Sequence, residues 1–265
     1  MRIPGWLPRI LGDDAANKPH VRRTVQETAK VVGEWLFSAG AVVGLSPVLT
    51  AIALTVRLTS PGPALFVSER VGRGGKPFRC YKFRTMRVAS SVVVSPDAKT
   101  IVEDHDTRLT PIGALLRIGL DELPQLFNVL RGEMALIGPR PDPPWMVPRY
   151  TEAIRPRLSV RPGITGLTQV LNGRERPTPE MYNIDLWYIR HRSPLLDLRI
   201  FAYTFLYLAG HRRVGEGVAG KMKAAGEWNP EQFEPATAAV RGDDAKVIPA
   251  GADDSIDSVM RLSGA

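Results

Sequence analysis

Residues 31–58 read VVGEWLFSAGAVVGLSPVLTAIALTVRL, and this stretch decides the fold class. Residues 35–56 carry no charged side chain, which makes the segment long enough to span the hydrocarbon core of a bilayer. Ser46 and Pro47 lie in its middle. Proline lacks a backbone N–H and kinks or breaks a helix, so the sequence predicts an interruption at this point.

Basic residues flank the apolar stretch on both sides: Arg22, Arg23 and Lys30 before it, and Arg57, Arg70 and Arg73 after it. Positive charge marks the cytoplasmic side of a membrane, and a spanning helix should show an asymmetry. The matched flanks favour a re-entrant helix that enters the membrane, turns at Ser46 and Pro47, and leaves on the same side. A single spanning helix and a buried helix of a soluble protein are the alternatives, since proline kinks also occur in true spans.

The 265-residue chain has a net charge of +8, and its charged residues are unevenly distributed along the sequence. From Glu216 onward there are 9 acidic and 5 basic residues, so the positive charge lies in the preceding part. That part is expected to handle an anionic partner. The single cysteine, Cys80, excludes an internal disulfide framework, and four scattered histidines give no zinc-like spacing. No nucleic-acid recognition motif accompanies the positive charge.

Residues 64–86 predict a β-hairpin, because two β-like runs flank a glycine-rich turn. In the second strand Lys82 and Arg84 are two residues apart and share one face, whereas Tyr81 and Phe83 share the other. The cationic face could present charge to a phosphate, although such a pair is also typical of a solvated surface.

Residues 120–141, LDELPQLFNVLRGEMALIGPRP, place two adjacent carboxylates, Asp121 and Glu122, before a predicted helix. Pro124 suits a first helical turn, and Gly132 suits a C-terminal stop, so the helix is expected over residues 123–131. Acidic residues at a helix N-terminus have an ordinary capping role. Three arginines near the pair indicate a second role: Arg117, Arg131 and Arg140.

A carboxylate surrounded by guanidinium groups suits phosphoryl transfer. An anionic nucleophile that approaches a diphosphate needs its charge neutralised, and arginines with a divalent metal do this. Aspartyl phosphates are known covalent intermediates. The pattern therefore indicates phosphoryl transfer through a carboxylate, beside the simpler capping role.

Four blocks resemble the bacterial sugar transferase family, the monotopic polyprenyl-phosphate phosphoglycosyl transferases. They are KFRTM at 82–86, LDELPQLFN at 120–128, GEMALIGPRP at 132–141 and RPGITG at 161–166. The resemblance covers roughly residues 25–209 and matches the small form of the family. The break at Ser46 and Pro47 also matches the re-entrant membrane helix of that family.

The resemblance implies that Asp121 is a nucleophile that attacks a UDP-sugar, releases UMP and passes the sugar phosphate to undecaprenyl phosphate. Glu122 would help to hold Mg²⁺ together with Asp121. The implied phosphate ligands are Lys82, Arg84, Arg117, Arg140, Pro141 and Arg174. Two rival functions remain open: a glycosyltransferase that moves only the sugar and releases UDP, and a non-enzymatic membrane assembly protein.

The expected fold is α+β and mainly helical, a monotopic membrane protein with a re-entrant helix-break-helix and a small cytoplasmic catalytic domain that contains a β-hairpin. The expected divisions are an N-terminal region at 1–60, a catalytic domain at 61–210 and an acidic, flexible tail at 211–265. Residues 198–210 predict an interfacial helix, with a core helix as the alternative. The implied location is the cytoplasmic face of the bacterial inner membrane. The sugar and the oligomeric state, a homodimer included, stay open.

Overall fold

The computed structural model describes residues 20–87, 92–94, 109–171, 178–208 and 246–248. Its α-helices are α1 (His20–Thr59), α2 (Gly113–Leu116), α3 (Leu126–Leu130), α4 (Leu167–Val170), α5 (Thr178–His191) and α6 (Pro194–Leu208). Its strands are β1 (Leu65–Val71), β2 (Pro77–Phe83), β3 (Val92–Val94), β4 (Ala135–Ile137), β5 (Gly163–Thr165) and β6 (Lys246–Ile248). Within the described residues the fold is mainly helical with small two-stranded sheets, as predicted. The tail lies outside these residues apart from β6, and so does Arg174.

Helix α1 runs without interruption through Ser46 and Pro47. The backbone is helical on both sides of Pro47, so the predicted break in the helix is wrong. Pro47 cannot donate to the carbonyl of Val43, four residues earlier, but the Ser46 hydroxyl donates to that same oxygen at 2.7 Å. Side chains of this kind commonly satisfy backbone groups freed by proline. The Ser46 hydroxyl therefore supplies the hydrogen bond that Pro47 cannot donate. The re-entrant path through the membrane stays a prediction.

One face of α1 packs on the rest of the chain near both of its ends. Near the start, Lys30 Nζ lies 2.6 Å from Asp197 Oδ2, and Glu34 Oε2 lies 2.9 Å from Arg161 Nη2. Near the end, Val56 is fully enclosed in a cluster that also includes Phe83 and Leu116. Lys30 and Val56 are separated by about 39 Å along the helix axis, at 1.5 Å per residue. The helix therefore lies along the described residues that follow it in sequence instead of projecting away from them.

The opposite face of α1 is apolar and exposed. Its exposed large side chains include Val31, Val32, Trp35, Leu36, Val43, Val48, Leu54 and Leu58. Among the described residues, this is the one helix long and apolar enough to cross a membrane. Membrane association is therefore plausible, since a contiguous apolar surface of this size is unusual for a protein face in contact with water.

The predicted β-hairpin is confirmed. Strands β1 and β2 pair antiparallel, with Phe66 opposite Lys82 and Leu65 opposite Phe83. Gly74 and Gly75 take positive φ angles of 71° and 75° in the turn, a conformation that favours glycine. The hairpin brings Lys82 back to the end of α1, where the next residues of the chain begin to form the site.

Arg84 caps the C-terminal end of α1. Its guanidinium donates to the carbonyl of Ser60 at 2.7 Å, to that of Pro61 and, more weakly, to that of Val56. The last carbonyls of a helix have no partner within the helix, and a cation there also opposes the negative end of the helix dipole. A residue predicted to bind phosphate is thus placed against backbone carbonyls.

Two predicted helices are shorter than expected. The sequence LTPIGALLRIGL at residues 109–120 also predicts an α-helix, with Pro111 in its first turn. The α-helix there is confined to α2, because Leu109 forms a bridge with Met86 and Gly119 has a φ of 126°. The helix predicted over residues 123–131 begins as a 3-10 helix, Leu120–Gln125, and becomes α-helical only in α3. The predicted stop at Gly132 is confirmed by its φ of 76°.

Strands β4 and β5 pair in parallel and join the GPRP and RPGITG motifs. A Cβ atom at Gly163 would lie 2.1 Å from the backbone nitrogen of Gly138, and one at Gly166 would lie 2.2 Å from its carbonyl oxygen. These glycines are required by close backbone contact. Behind this sheet, α5 and α6 contribute Ile184, Trp187 and Ile200 to a buried core. Helix α6 confirms the helix predicted at 198–210 as far as the described residues reach, and α5 covers residues 181–190, whose amphipathic sequence also predicts a helix.

We expect Arg84→Met to lower the free energy of unfolding by about 2–4 kcal/mol, because buried carbonyls at the end of α1 lose a charged donor. Thermal and denaturant unfolding in one detergent would measure this. Arg87→Met is the matched control: its side chain is exposed, and we expect a change below about 0.5 kcal/mol. Equal losses in both variants would contradict the capping role.

Candidate active site

The carboxylate of Glu122 is the centre of the site. Its Oε1 atom accepts from Lys82 Nζ at 2.7 Å and from Arg140 Nη1 at 3.0 Å. Glu122 is only 7% exposed. Three separate elements meet here: the second hairpin strand, the 3-10 helix Leu120–Gln125, and the GPRP loop after β4. The sequence therefore brings one anion and two cations together from positions up to 58 residues apart.

The site is assembled on the 3-10 helix Leu120–Gln125, which follows Gly119 and has Asp121 and Glu122 in its first turn. Glu122 reaches across to β2 and the GPRP loop. Its carboxylate therefore does more than cap this helix, and the capping role considered for the pair stays a prediction.

Asp121 precedes Glu122 in the same helical turn. With three residues per turn, consecutive side chains of a 3-10 helix leave the helix axis roughly 120° apart. It is half-buried, and its Oδ1 atom is enclosed. Its negative charge nevertheless acts on both Lys82 and Arg140, more weakly than that of Glu122. The two carboxylates thus share one pair of cations but occupy different directions.

The pKa of Lys82 is lowered below its ordinary value. Burial is the main cause and the neighbouring Arg140 adds to it, while the charge and hydrogen bond of Glu122 act in the opposite direction. Two cations held this close would repel each other without the carboxylate between them. The Glu122 carboxylate thus neutralises part of the positive charge of the two cations and holds them together.

Asn128 fixes α3 to the hairpin and so sets the position of Lys82. It is fully buried, its Oδ1 atom accepts from the backbone nitrogen of Tyr81, and its Nδ2 atom donates to the carbonyl of Arg79 at 2.6 Å. Nearby, Arg131 donates to the Tyr81 hydroxyl and lies over the Tyr81 ring. Arg131, at the end of α3, is therefore engaged on the far side of the strand from Lys82.

The remaining predicted site residues are distributed as follows. Arg117 donates from Nε to Thr85 Oγ1 at 3.5 Å, four residues before Asp121. Pro141 follows Arg140 in the GPRP loop and is half-buried. Arg84 is placed at the end of α1, as described above, and Arg174 lies outside the described residues. Lys82, Glu122 and Arg140 are the predicted residues that the structure brings into direct contact.

A buried polar network behind the GPRP loop was missed by the sequence analysis. Arg157 donates to both Asp142 and Asp185, with Nη2 lying 2.9 Å from Asp185 Oδ2. Tyr150 and Tyr182 donate their hydroxyls to Asp142. Arg157 lies in an unremarkable RPRLS stretch, so composition gives no signal for it. Only the proximity of buried charges in space reveals the network.

The donor set for a metal is small. Within the described residues there is no group of three or more histidine, cysteine, aspartate or glutamate side chains that could hold a metal ion. Mg²⁺ commonly uses only one or two carboxylates and completes its shell with water and substrate phosphates. Asp121 and Glu122 fit that kind of site, in which the substrate supplies the other oxygen ligands.

Comparison with known proteins gives a consistent result. A profile of the family described as bacterial sugar transferase matches residues 25–211. The UDP-glucose:undecaprenyl-phosphate glucose-1-phosphate transferase of Xanthomonas campestris pv. campestris is 40% identical over 197 residues, which cover 69% of this chain and 39% of the relative.

Two further relatives extend the comparison. The UDP-N-acetylgalactosamine-undecaprenyl-phosphate N-acetylgalactosaminephosphotransferase of Aeromonas hydrophila is 39% identical, over 60% of this chain and 38% of the relative. The exopolysaccharide production protein PSS of Rhizobium leguminosarum bv. phaseoli is 40% identical, over 63% of this chain and 88% of the relative. The chain therefore aligns with less than half of the first two relatives but with most of the third.

We expect Glu122→Gln to lower the pKa of Lys82 further, because the negative charge of Glu122, which raises this pKa, is lost while the amide oxygen can still accept a hydrogen bond. NMR titration of protein labelled with ¹³C at the lysine ε-carbon would measure it, with the signal assigned from Lys82→Arg. Glu133→Gln is the control, since the Glu133 carboxylate accepts from Asn128 instead. An unchanged or raised pKa in Glu122→Gln would contradict the ion pair.

Proposed function

The chain belongs to the bacterial sugar transferase family, and we propose that it transfers a sugar 1-phosphate from a UDP-sugar to undecaprenyl phosphate with release of UMP. Two of its relatives are named as enzymes of this kind. The observation that carries the proposal is the Glu122 carboxylate between Lys82 and Arg140, immediately beside Asp121. A third relative is named for exopolysaccharide production, so the product is proposed to enter polysaccharide synthesis.

Asp121 is proposed as the nucleophile of the first step. One carboxylate oxygen attacks the phosphorus that carries the sugar, a bond forms between that oxygen and phosphorus, and the bond from this phosphorus to the bridging oxygen of UMP breaks. UMP leaves with the electron pair on its phosphate oxygen. The protein then carries an aspartyl phosphosugar, which is an acyl phosphate and therefore a mixed anhydride.

The phosphate of undecaprenyl phosphate carries out the second step. One of its oxygens attacks the same phosphorus, and the bond to the Asp121 oxygen breaks. The carboxylate is regenerated, and the lipid leaves as a diphosphate-linked sugar. Neither step needs an oxidant or a proton donor, because the attacking and leaving groups in both steps are anionic oxygens.

The neighbouring residues have separate roles in this proposal. Lys82 and Arg140 hold the transferred phosphate, since cations at hydrogen-bond distance stabilise charge that develops on phosphoryl oxygens. Glu122 keeps these two cations in place. Mg²⁺, held by Asp121 and Glu122, would neutralise charge on the diphosphate of the donor.

The packing of α1 supports an anchor that stays on one side of the membrane. A helix whose two ends both contact the same catalytic part cannot deliver one of them to the far side of a bilayer. Its exposed apolar face can enter the lipid while the site stays at the headgroup level, where the acceptor phosphate lies. We place the site at the cytoplasmic face of the inner membrane, where UDP-sugars are made, and leave open whether α1 bends into a re-entrant path.

The rival enzyme would move only the sugar and release UDP. Attack on phosphorus releases UMP, so the nucleotide separates the two reactions. The phosphate-binding residues around Glu122 favour chemistry at phosphorus. The non-enzymatic alternative required a carboxylate pair that only caps a helix, whereas the Glu122 carboxylate is paired with Lys82 and Arg140.

We expect the wild-type protein to release UMP, not UDP, from a UDP-sugar in the presence of undecaprenyl phosphate and Mg²⁺. UDP-glucose and UDP-N-acetylgalactosamine are the first donors to test. Asp121→Asn removes the nucleophile, and we expect turnover to fall at least about 10³-fold, as for other lost catalytic nucleophiles. Chelation with EDTA should stop release.

With donor but no lipid, intact-protein mass spectrometry should detect the phosphosugar, and peptide mapping should place it on Asp121. Asp197→Asn serves as a control for loss of a carboxylate elsewhere, because Asp197 pairs with Lys30 and does not contact Glu122. Full turnover by a folded Asp121→Asn protein, or an active wild-type protein that never carries the adduct, would end the covalent proposal.

We expect Ala29→Cys and Thr59→Cys, each in a Cys80→Ala background, to be labelled from the same side of the membrane. Both positions are exposed and lie at opposite ends of the apolar segment. A membrane-impermeant maleimide applied to inside-out and right-side-out vesicles would measure the side. Labelling from opposite sides would show a spanning helix.

A further inference from the structure

We propose that Arg157 is a positioning residue for Arg140. In this inference, Arg157 never touches the substrate and holds the loop that presents the Arg140 guanidinium to Glu122 and to the transferred phosphate. The inference rests on the proposed function, because it assigns the effect of Arg157 to the phosphate-binding role of Arg140.

The direct link is a hydrogen bond to the backbone of Arg140. Arg157 Nη2 donates to the Arg140 carbonyl oxygen at 2.9 Å, and the same nitrogen lies 2.9 Å from Asp185 Oδ2. Arg157 is only 7% exposed. A guanidinium this enclosed is retained only where its donors are used, since burying an unpaired charge costs several kcal/mol.

A second link runs through Asp142, two residues after Arg140. Arg157 donates to its carboxylate, as do the hydroxyls of Tyr150 and Tyr182. The Asp142 carbonyl accepts from the backbone nitrogen of Val71 at 2.9 Å. Burial by itself would raise the pKa of Asp142, but Arg157 and the two phenols outweigh it and hold that pKa below its ordinary value. The carboxylate therefore stays charged and keeps its bonds to Arg157.

The guanidinium group of Arg157 also contacts residues of the buried core. It lies over the Tyr182 ring at 4.3 Å, and Asp185 accepts from it while also accepting from Thr168 at 2.6 Å. Asp185 belongs to α5 and Thr168 to α4, both part of the buried core. The core is thus connected, through the Arg157 side chain, to the Arg140 backbone before Pro141 and to the Asp142 carboxylate after it.

Arg140 needs this support more than its neighbours do. Its side chain is 38% exposed and reaches Glu122 from a loop, not from a helix or strand. A long side chain on an unsupported loop samples many positions, and a displacement of about 1 Å in a positioning group can cost about 100-fold in rate. Arg157 fixes the loop on the side away from the substrate.

The test is a double-mutant cycle between Arg157→Lys and Arg140→Lys, scored by UMP release with undecaprenyl phosphate, Mg²⁺ and the UDP-sugar that the wild type uses best. Lysine keeps the charge but cannot bridge Asp142, Asp185 and the Arg140 carbonyl at once. We expect Arg157→Lys alone to lower kcat/KM about 10- to 100-fold, in line with the loss of a buried charged hydrogen bond. In the Arg140→Lys background we expect a further loss below about threefold, because the residue being positioned is already absent.

The KM for the UDP-sugar separates positioning from folding. Loss of folded protein lowers the apparent kcat and leaves KM unchanged, whereas a displaced phosphate ligand raises KM, by about tenfold in Arg157→Lys. Arg155→Lys is the matched control: it lies two residues away and pairs with the exposed Glu152. We expect it to change neither parameter by more than about twofold.

If Arg157→Lys does not fold, the same cycle with Tyr182→Phe decides the question, because it removes one hydroxyl donor to Asp142 and keeps the ring over Arg157. Coupling with Arg140→Lys supports the inference. Additive losses, or an unchanged KM in folded protein, overturn it while the wild type still releases UMP. A wild type without UMP release would instead overturn the proposed function.

Discussion

The structure depends on one buried carboxylate with two cations. Glu122 accepts from Lys82 and Arg140, and neither cation is supplied by an element adjacent to it in sequence. Removing charges from water costs several kcal/mol for each ion, so the arrangement persists only because the three groups compensate one another. Forming it requires the hairpin, the 3-10 turn and the GPRP loop to meet at one point. The site and the fold are therefore specified by the same contacts.

The surrounding structure can be understood as support for each member of this trio. Asn128 ties the Lys82 strand to α3, while the close glycine contacts at Gly138 and Gly163 set the start of the GPRP loop. Arg157 fixes the backbone after it. Helix α1 adds a further constraint, since its ion pairs to Asp197 and Arg161 hold an apolar surface at a fixed height relative to the site. The apolar surface of α1 and the Glu122 site are thus connected through ion pairs and buried contacts.

The sequence predicted the features that depend on local residue patterns. The hairpin followed from alternating residues around glycines, and the adjacent carboxylates, Lys82 and Arg140 were recognised from residue type and spacing. It failed where a long-range contact decides the outcome. Arg84 was expected to share a strand face with Lys82, but it follows the end of β2 and caps α1, because the chain returns there in space. Ser46 offsets the lost donor of Pro47, so a proline that predicts a break lies inside a continuous helix.

The division of labour between the two carboxylates follows from geometry. Without a metal ion between them, two carboxylates directed at the same phosphate would place two negative charges against an anionic donor. Consecutive side chains of the 3-10 turn leave its axis roughly 120° apart. Glu122 is directed to Lys82 and Arg140, where it offsets part of their charge and fixes their positions. In the proposed reaction, Asp121 attacks phosphorus within the field of Lys82, Arg140 and Glu122, whose summed charge is positive. An α-helical start would have placed the two side chains about 100° apart instead. The glycine at 119, with its positive φ, makes the tighter turn available.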